Sequence, residues 1–233
     1  LVIDEPSENR SSMVAAGLFN PITGRNMAKT WLVDDIFPAL HAYYRQAEQV
    51  TGVNFFFPTP VYRPFTSIEE QNEWMGRSAD PAYQDYIEMV SASARFGSLV
   101  NDRFGGITLK QCGYLDTRLY LRAVRRHLET RGCYERSTFD AGKLKIEDGF
   151  VRYRRMKATK VIFCQGTQNT TNPWFNHLPV RSLKGEFLTV QSEWRKDVIL
   201  NRGVYMVPAA HPTEWRVGAT YNRNDPDSAA TAG

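Results

Sequence analysis

With 233 residues, 42% of them hydrophobic and 23% charged, the chain is long enough to bury a core and unlike a disordered segment in composition. No apolar run approaches the ~18 residues a membrane helix needs, and residues 1–5 lack the basic start of a secretory leader, so a cytoplasmic protein without membrane contact is expected. The formal charge of +4 gathers over residues 118–136 and 152–160, where it reads as a solvated helix face and hairpin rather than a nucleic-acid footprint; the three scattered cysteines and four isolated histidines form neither a disulfide framework nor a metal site.

The chain opens on Leu1, Val2, Ile3 and Asp4, an apolar run ending in an acid, which reads as the back half of a buried strand. A stretch rich in Ser, Asn and Gly follows over residues 7–26. Met27, Trp31, Ile36, Leu40, Tyr44, Ala47 and Val50 then keep helical spacing, predicting a helix over residues 26–50, kinked at Pro38 and closed by Gly52. Residues 54–59 and 61–65 read as strands around Pro58 and Pro60. Ser67 and Glu70 have capping-box spacing, so a helix starts there and runs through Trp74.

A weaker helical pattern covers residues 81–96, and Gly105 and Gly106 turn into a strand over residues 107–110. Asp116 caps a helix that lines up Leu119, Ala123, Val124 and Leu128 and ends at Gly132. Strands over residues 143–147 and 151–154 flank the turn at Asp148 and Gly149. Val161, Ile162, Phe163 and Cys164 form a continuous apolar run of the buried parallel type, followed by Gln165 and Gly166. Residues 186–191, 203–207 and 215–219 read as strands, and residues 225–232 as the entry of a helix. Buried-strand signatures at residues 1–4 and 161–164, with amphipathic elements between and after, predict two interleaved domains. Both ends read as cuts through a larger fold.

Several short motifs fall in one order. The strand ending in Asp4 comes first, then Ser11, Ser12, Ala15, Ala16 and Gly17, then Gly113, Tyr114, Leu115 and Asp116 before a helix. The apolar run before Gly166 follows, then Lys184, Gly185 and Glu186, then Val204, Tyr205, Val207 and Pro208, then Val217, Gly218, Ala219 and Thr220. This order resembles the D-amino-acid oxidase and glycine oxidase superfamily of FAD-dependent oxidoreductases. The resemblance implies an α/β plus α+β fold, an incomplete Rossmann-type FAD-binding domain interleaved with an antiparallel-sheet substrate domain. The first takes residues 1–35 and 111–178, the second 36–110 and 179–233. It implies FAD as cofactor and a small-molecule amine or amino acid as substrate, oxidised by hydride transfer to the flavin.

Site residues follow from the same resemblance. Asp4, or Glu5 beside it, would accept hydrogen bonds from the ribose hydroxyls. Ser11, Ser12, Ala15, Ala16 and Gly17 would line the pyrophosphate and the underside of the flavin, with Leu18 and Phe19 near its reacting face. Phe139 would sit near the adenine and Gly166 beside the cofactor, where Gln165 departs from the family's commoner alanine. Tyr205 would stand in the substrate cavity; a strand tyrosine that simply packs its sheet is the plain alternative. The family's Gly-x-Gly-x-x-Gly turn would precede Leu1 by roughly 30 residues, and its carboxylate-clamping arginine would follow Gly233. The 233-residue chain alone is therefore expected to hold FAD poorly and to be inactive. Two rival readings remain at this point: a flavoprotein domain acting on tRNA through the basic helix, and a non-catalytic binding protein that kept the fold.

Overall fold

The computed structural model describes residues 1–7, 9–24, 27–194, 197–225, 227 and 229–231. The chain divides into a larger unit (residues 8–127 and 186–220) and a smaller one (residues 1–7, 128–185 and 221–233). Among the described residues, no helix is long and apolar enough to cross a membrane, and no group of three or more His, Cys, Asp or Glu side chains could hold a metal.

A seven-stranded mixed sheet organises the larger unit, in the order Lys184–Gln191, Glu214–Asn222, Val204–Pro208, Ile199–Arg202, Val61–Pro64, Gly106–Leu109 and Ile87–Ser91. Ile199–Arg202 runs parallel to Val61–Pro64 and antiparallel to Val204–Pro208. The sequence reading missed the Ile199–Arg202 strand, because its apolar residues are followed by Asn201 and Arg202. All four residues of Gly106–Leu109 are buried, so this strand is covered on both faces. Val61, Tyr62, Ile107, Leu109, Ile199 and Val207 are fully buried, and Trp74 nearly so. Burial of such side chains contributes roughly 1.5–3 kcal/mol each and is what holds the sheet to its helices.

The long helix spans Val33–Thr51, not residues 26–50. Asn26 lies outside the described residues. Ahead of the helix, Ile22–Thr23 and Ala28–Lys29 pair as a short antiparallel ladder, and Leu32 takes a left-handed conformation (φ 51°) that no helix interior accepts. Local pairing and the burial of Ile22 and Met27 override the periodicity, and Trp31 is left 78% exposed. Pro38 lies within the helix, near its start, and Gly52 closes it with a left-handed cap whose N–H reaches the Glu48 carbonyl at 2.8 Å.

The Ile68–Arg77 helix starts as expected: Ser67 Oγ accepts from the Glu70 N–H at 3.2 Å. The Glu70 carboxylate reaches back to the Thr66 N–H at 2.9 Å and pairs with Arg202 at 2.7 Å, tying helix to sheet. Residues 81–96 differ from their weak helical pattern. Only Pro81–Gln84 is helical, and Ile87–Ser91 instead forms an edge strand on Gly106–Leu109, whose open ladder outweighs a marginal periodicity. A second, three-stranded sheet orders Leu18–Phe19, Gly113–Leu115 and Phe56–Pro58. The helix Thr117–Thr130 follows directly, capped by Asp116, which accepts from the Leu119 N–H at 3.0 Å.

His41 stands among aromatic rings, edge-on to Phe19 and Phe56 with centroids 5.6 and 5.3 Å away. Its Nε2 is buried without a hydrogen-bond partner. Burial lowers the imidazole's pKa below 6.5, opposed by a hydrogen bond to the backbone of Gln111. The unfolded chain therefore binds this proton more readily than the folded one. His41 is thus expected to favour the folded state fully above pH 6.5 and to lose that contribution as pH falls below it. Urea midpoints from pH 8 to pH 5 check this: they should fall less in His41→Phe than in the native chain, and parallel curves would contradict it.

In the smaller unit, Val2–Asp4 and Tyr134–Arg136 form a parallel pair. The expected strand is present, but Leu1 and Val2 are exposed rather than buried. Leu144–Glu147, Phe150–Tyr153 and Met156–Ala158 form an antiparallel meander, its first two strands where the sequence put them. The apolar run at residues 161–164 forms no strand, and Ile162 is 84% exposed. A continuous apolar run becomes a strand only where a neighbour offers a ladder, and no described strand pairs with this segment. Phe163 packs instead with Phe139, Trp174 and Phe175. Residues 226, 228, 232 and 233 lie outside the described set; of the helix entry expected at residues 225–232, the described residues 225, 227 and 229–231 are not helical.

Candidate functional site

In the larger unit the segment from Ser11 to Gly17 is shaped by its own backbone. Ser11–Val14 makes a single helical turn, with Ser11 and Ser12 exposed at its start and Ala15 at its end. Ala16 is buried in the main core. Gly17 has φ +73°, and a Cβ there would lie 2.0 Å from the Leu115 carbonyl oxygen. Its own carbonyl accepts from the Leu115 N–H at 3.0 Å, and Leu18 continues into a strand opposite Tyr114. Only glycine satisfies both the left-handed backbone and this approach.

Three side chains fasten the loop. Arg118 Nε donates to the Met13 carbonyl at 2.8 Å. Arg216 Nη1 and Thr117 Oγ1 both donate to the Ala15 carbonyl, at 2.6 and 3.2 Å. Sequence reasoning named none of these three. Their signal is positional: Thr117 and Arg118 open the helix that follows the Gly113–Leu115 strand, and Arg216 is a charge within the strand Glu214–Asn222.

Register places Tyr205 with them. Tyr205 opposes Gly218 and Val207 opposes Arg216 on the antiparallel pair, so Tyr205 and Arg216 leave the sheet on one face. Tyr205 is partly buried against the main core. Arg216 is half-buried, its guanidinium 5.6 Å from the Phe187 ring. Burial, then the neighbouring Arg118 charge, lower the Arg216 pKa; Asp116 and Tyr205 oppose the shift.

In the smaller unit Asp4 ends the Val2–Asp4 strand, accepting the Tyr134 hydroxyl at 2.9 Å, while Glu5 is exposed. Phe139 stacks on Tyr153 with centroids 4.8 Å apart, and the Asp140 N–H donates to the Tyr153 hydroxyl at 3.0 Å. Gly166 begins the 3-10 turn Gly166–Thr171 with φ +57° and is exposed. The larger unit thus gathers the 11–17 loop and Tyr205, while Asp4, Glu5, Phe139 and Gly166 belong to the smaller unit.

Comparison with known proteins gives concordant results. The family described as FAD dependent oxidoreductase matches residues 2–233. Among solved structures, glycine oxidase from Geobacillus kaustophilus superposes with a TM-score of 0.66 at 15% identity, covering 93% of this chain and 63% of that one. Iminodiacetate oxidase from Chelativorans sp. BNC1 gives 0.67 at 16% identity, covering 99% and 68%. Glycine oxidase from Bacillus cereus ATCC 14579 gives 0.60 at 16% identity, covering 96% and 66%. The chain therefore shares their mixed α/β fold and spans 63–68% of their lengths.

Proposed function

The chain belongs to the FAD-dependent oxidoreductase family, and from that premise we propose that it serves the oxidation of an amino acid or other small amine. The observation that most supports this reading is the family match across residues 2–233, which takes in every motif of the 11–17 loop and the Tyr205 strand. The loop's chemistry fits the cofactor. Side chains at residues 15–17 are small, two hydroxyls stand exposed before them, and Gly17 fixes the backbone path. In the smaller unit the Asp4 carboxylate, which accepts the Tyr134 hydroxyl, is an acceptor of the kind that ribose recognition requires.

Bound FAD would supply the redox chemistry, taking a hydride from the substrate α-carbon and leaving an imine for water to hydrolyse. The protein's part is binding and orientation. Residues 1–35 and 111–178 serve FAD, with Asp4 or Glu5 on the ribose, Ser11, Ser12, Ala15, Ala16 and Gly17 along the pyrophosphate and ring, and Phe139 and Gly166 flanking the adenosine end. Residues 36–110 and 179–233 serve the substrate, with Tyr205 hydrogen-bonding it or excluding water. No side chain is assigned a proton transfer: the substrate ammonium would lose its proton to water before the neutral amine gives up hydride. Supplied with oxygen or another electron acceptor, the FAD-loaded product of the complete reading frame is expected to convert an amino acid or secondary amine to a carbonyl compound plus ammonia or a smaller amine. A panel of both classes that yields no carbonyl product would overturn the reading.

A further inference from the structure

We propose that the outer face of the Val33–Thr51 helix is a self-association surface, on which two copies of this chain pair antiparallel about a two-fold axis. The helix carries two apolar stripes. Val33, Phe37, Leu40, Tyr44 and Ala47 turn to the core. Leu32, Ile36, Ala39, Tyr43, Gln46 and Val50 follow one another at intervals of four, three, four, three and four residues, and all six are exposed. That is the spacing of a coiled-coil seam, whose knobs need a second helix of the same spacing. The stripe is about 27 Å long at a rise of 1.5 Å per residue. Trp31, also exposed, widens its N-terminal end. Single exposed apolar residues are ordinary, but a continuous run of this length marks an interaction surface.

The occupant is a second copy because the stripe complements itself. With the axis level with residue 41, Leu32 faces the second copy's Val50, Ile36 its Gln46, and the small Ala39 its large Tyr43. The ends complement in charge as well. Asp35 stands exposed at the N-terminal end, beside Asp34, whose charge Lys29 meets at 2.8 Å. The C-terminal end is cationic. Arg45 is exposed there, while Glu48 is turned onto the Phe55 and Phe56 N–H groups, each at 2.8 Å. The Tyr43 and Tyr120 hydroxyls, 2.9 Å apart, join this end to the helix residues 117–127, which carry four arginines and no acid. Antiparallel pairing sets each acidic end against a cationic one and opposes the two helix dipoles; parallel pairing would set like against like. Such a two-fold contact is isologous and closes at two copies. It goes beyond the oxidation reading and does not depend on it.

Sedimentation velocity of the product of the complete reading frame, over a dilution series, tests the surface. The native protein is expected to associate reversibly. Ile36→Lys and Ala39→Glu, both at exposed positions, should each raise the dissociation constant by about 30-fold or more, as loss of an interface hot spot does, while far-UV circular dichroism stays native. A native protein that is monomeric at every concentration, as it would be if another part of its own chain or a different protein covered the stripe, overturns the proposal. So does an oligomer that both substitutions leave intact. The antiparallel order is read by mixing. Leu32→Lys and Val50→Glu should each associate poorly alone, yet form a heterodimer when combined in equal amounts, because the new cation then faces the new carboxylate. A mixture that associates no better than its two components overturns the antiparallel pairing.

Discussion

Gly17→Ala is expected to destabilise the protein by on the order of 3 kcal/mol or more. Two penalties coincide at this position. The left-handed backbone alone costs an L-residue about 1–2 kcal/mol. The new methyl would also meet the Leu115 carbonyl oxygen at 2.0 Å, a backbone atom that cannot swing aside. The loop or the Gly113–Leu115 strand has to move, and either motion breaks the Leu115-to-Gly17 hydrogen bond and shifts the Ala15 and Met13 carbonyls from their arginines. Gly52→Ala supplies the control. Gly52 has nearly the same φ, +69°, but open space where its Cβ would stand, so only about 1 kcal/mol is expected. Urea midpoints of the two variants separate the effects, and equal losses would contradict the close-approach explanation.

Asp102→Ala is expected to cost about 3 kcal/mol, by leaving three buried or half-buried donors without an acceptor. Asp102 is 1% exposed. One of its oxygens accepts from the Tyr62 hydroxyl at 2.9 Å, the Arg95 N–H at 2.8 Å and the Phe96 N–H at 3.3 Å. Tyr62 is itself fully buried on the Val61–Pro64 strand, so the carboxylate pins residues 95–102 to the middle of the large sheet. Burial, then the hydrogen bond and charge of Asp102, push the Tyr62 phenol well above its ordinary range. Tyr62→Phe removes only one donor and should cost about 1 kcal/mol. The double variant should then be less destabilised than the sum of the singles, because the donor stranded by the first change is gone in the second. Additive losses in chemical denaturation would contradict this network.

The legible parts of the molecule were those whose signal is local. Ser67 and Glu70 mark a helix start because capping is a contact between residues three apart. Gly52, Asp116 and the turn at Asp148 and Gly149 were readable for the same reason. What the sequence concealed depends on distant partners. Ile87–Ser91 is a strand because Gly106–Leu109 lies beside it, and residues 161–164 are not a strand because no described strand does. Within the candidate site, the small residues at 15–17 stand out through a family-like motif, and Gly17 is there for a reason only its distance to Leu115 reveals. Arg216 was invisible until strand register put it opposite Val207 and next to Tyr205. Arg118 read as one more charge on a basic helix, yet its guanidinium is turned onto the Met13 carbonyl.

The assignment as a flavin-dependent amine oxidoreductase is tested most directly by the visible spectrum of the FAD-loaded protein, mixed without oxygen with amino acids and secondary amines in turn. The oxidised flavin band is expected to bleach with at least one of these compounds, and the same compound should turn over when oxygen or another electron acceptor is supplied. A band that stays oxidised with every amine, yet bleaches at once with a chemical reductant, would contradict the assignment and leave a flavoprotein with some other substrate.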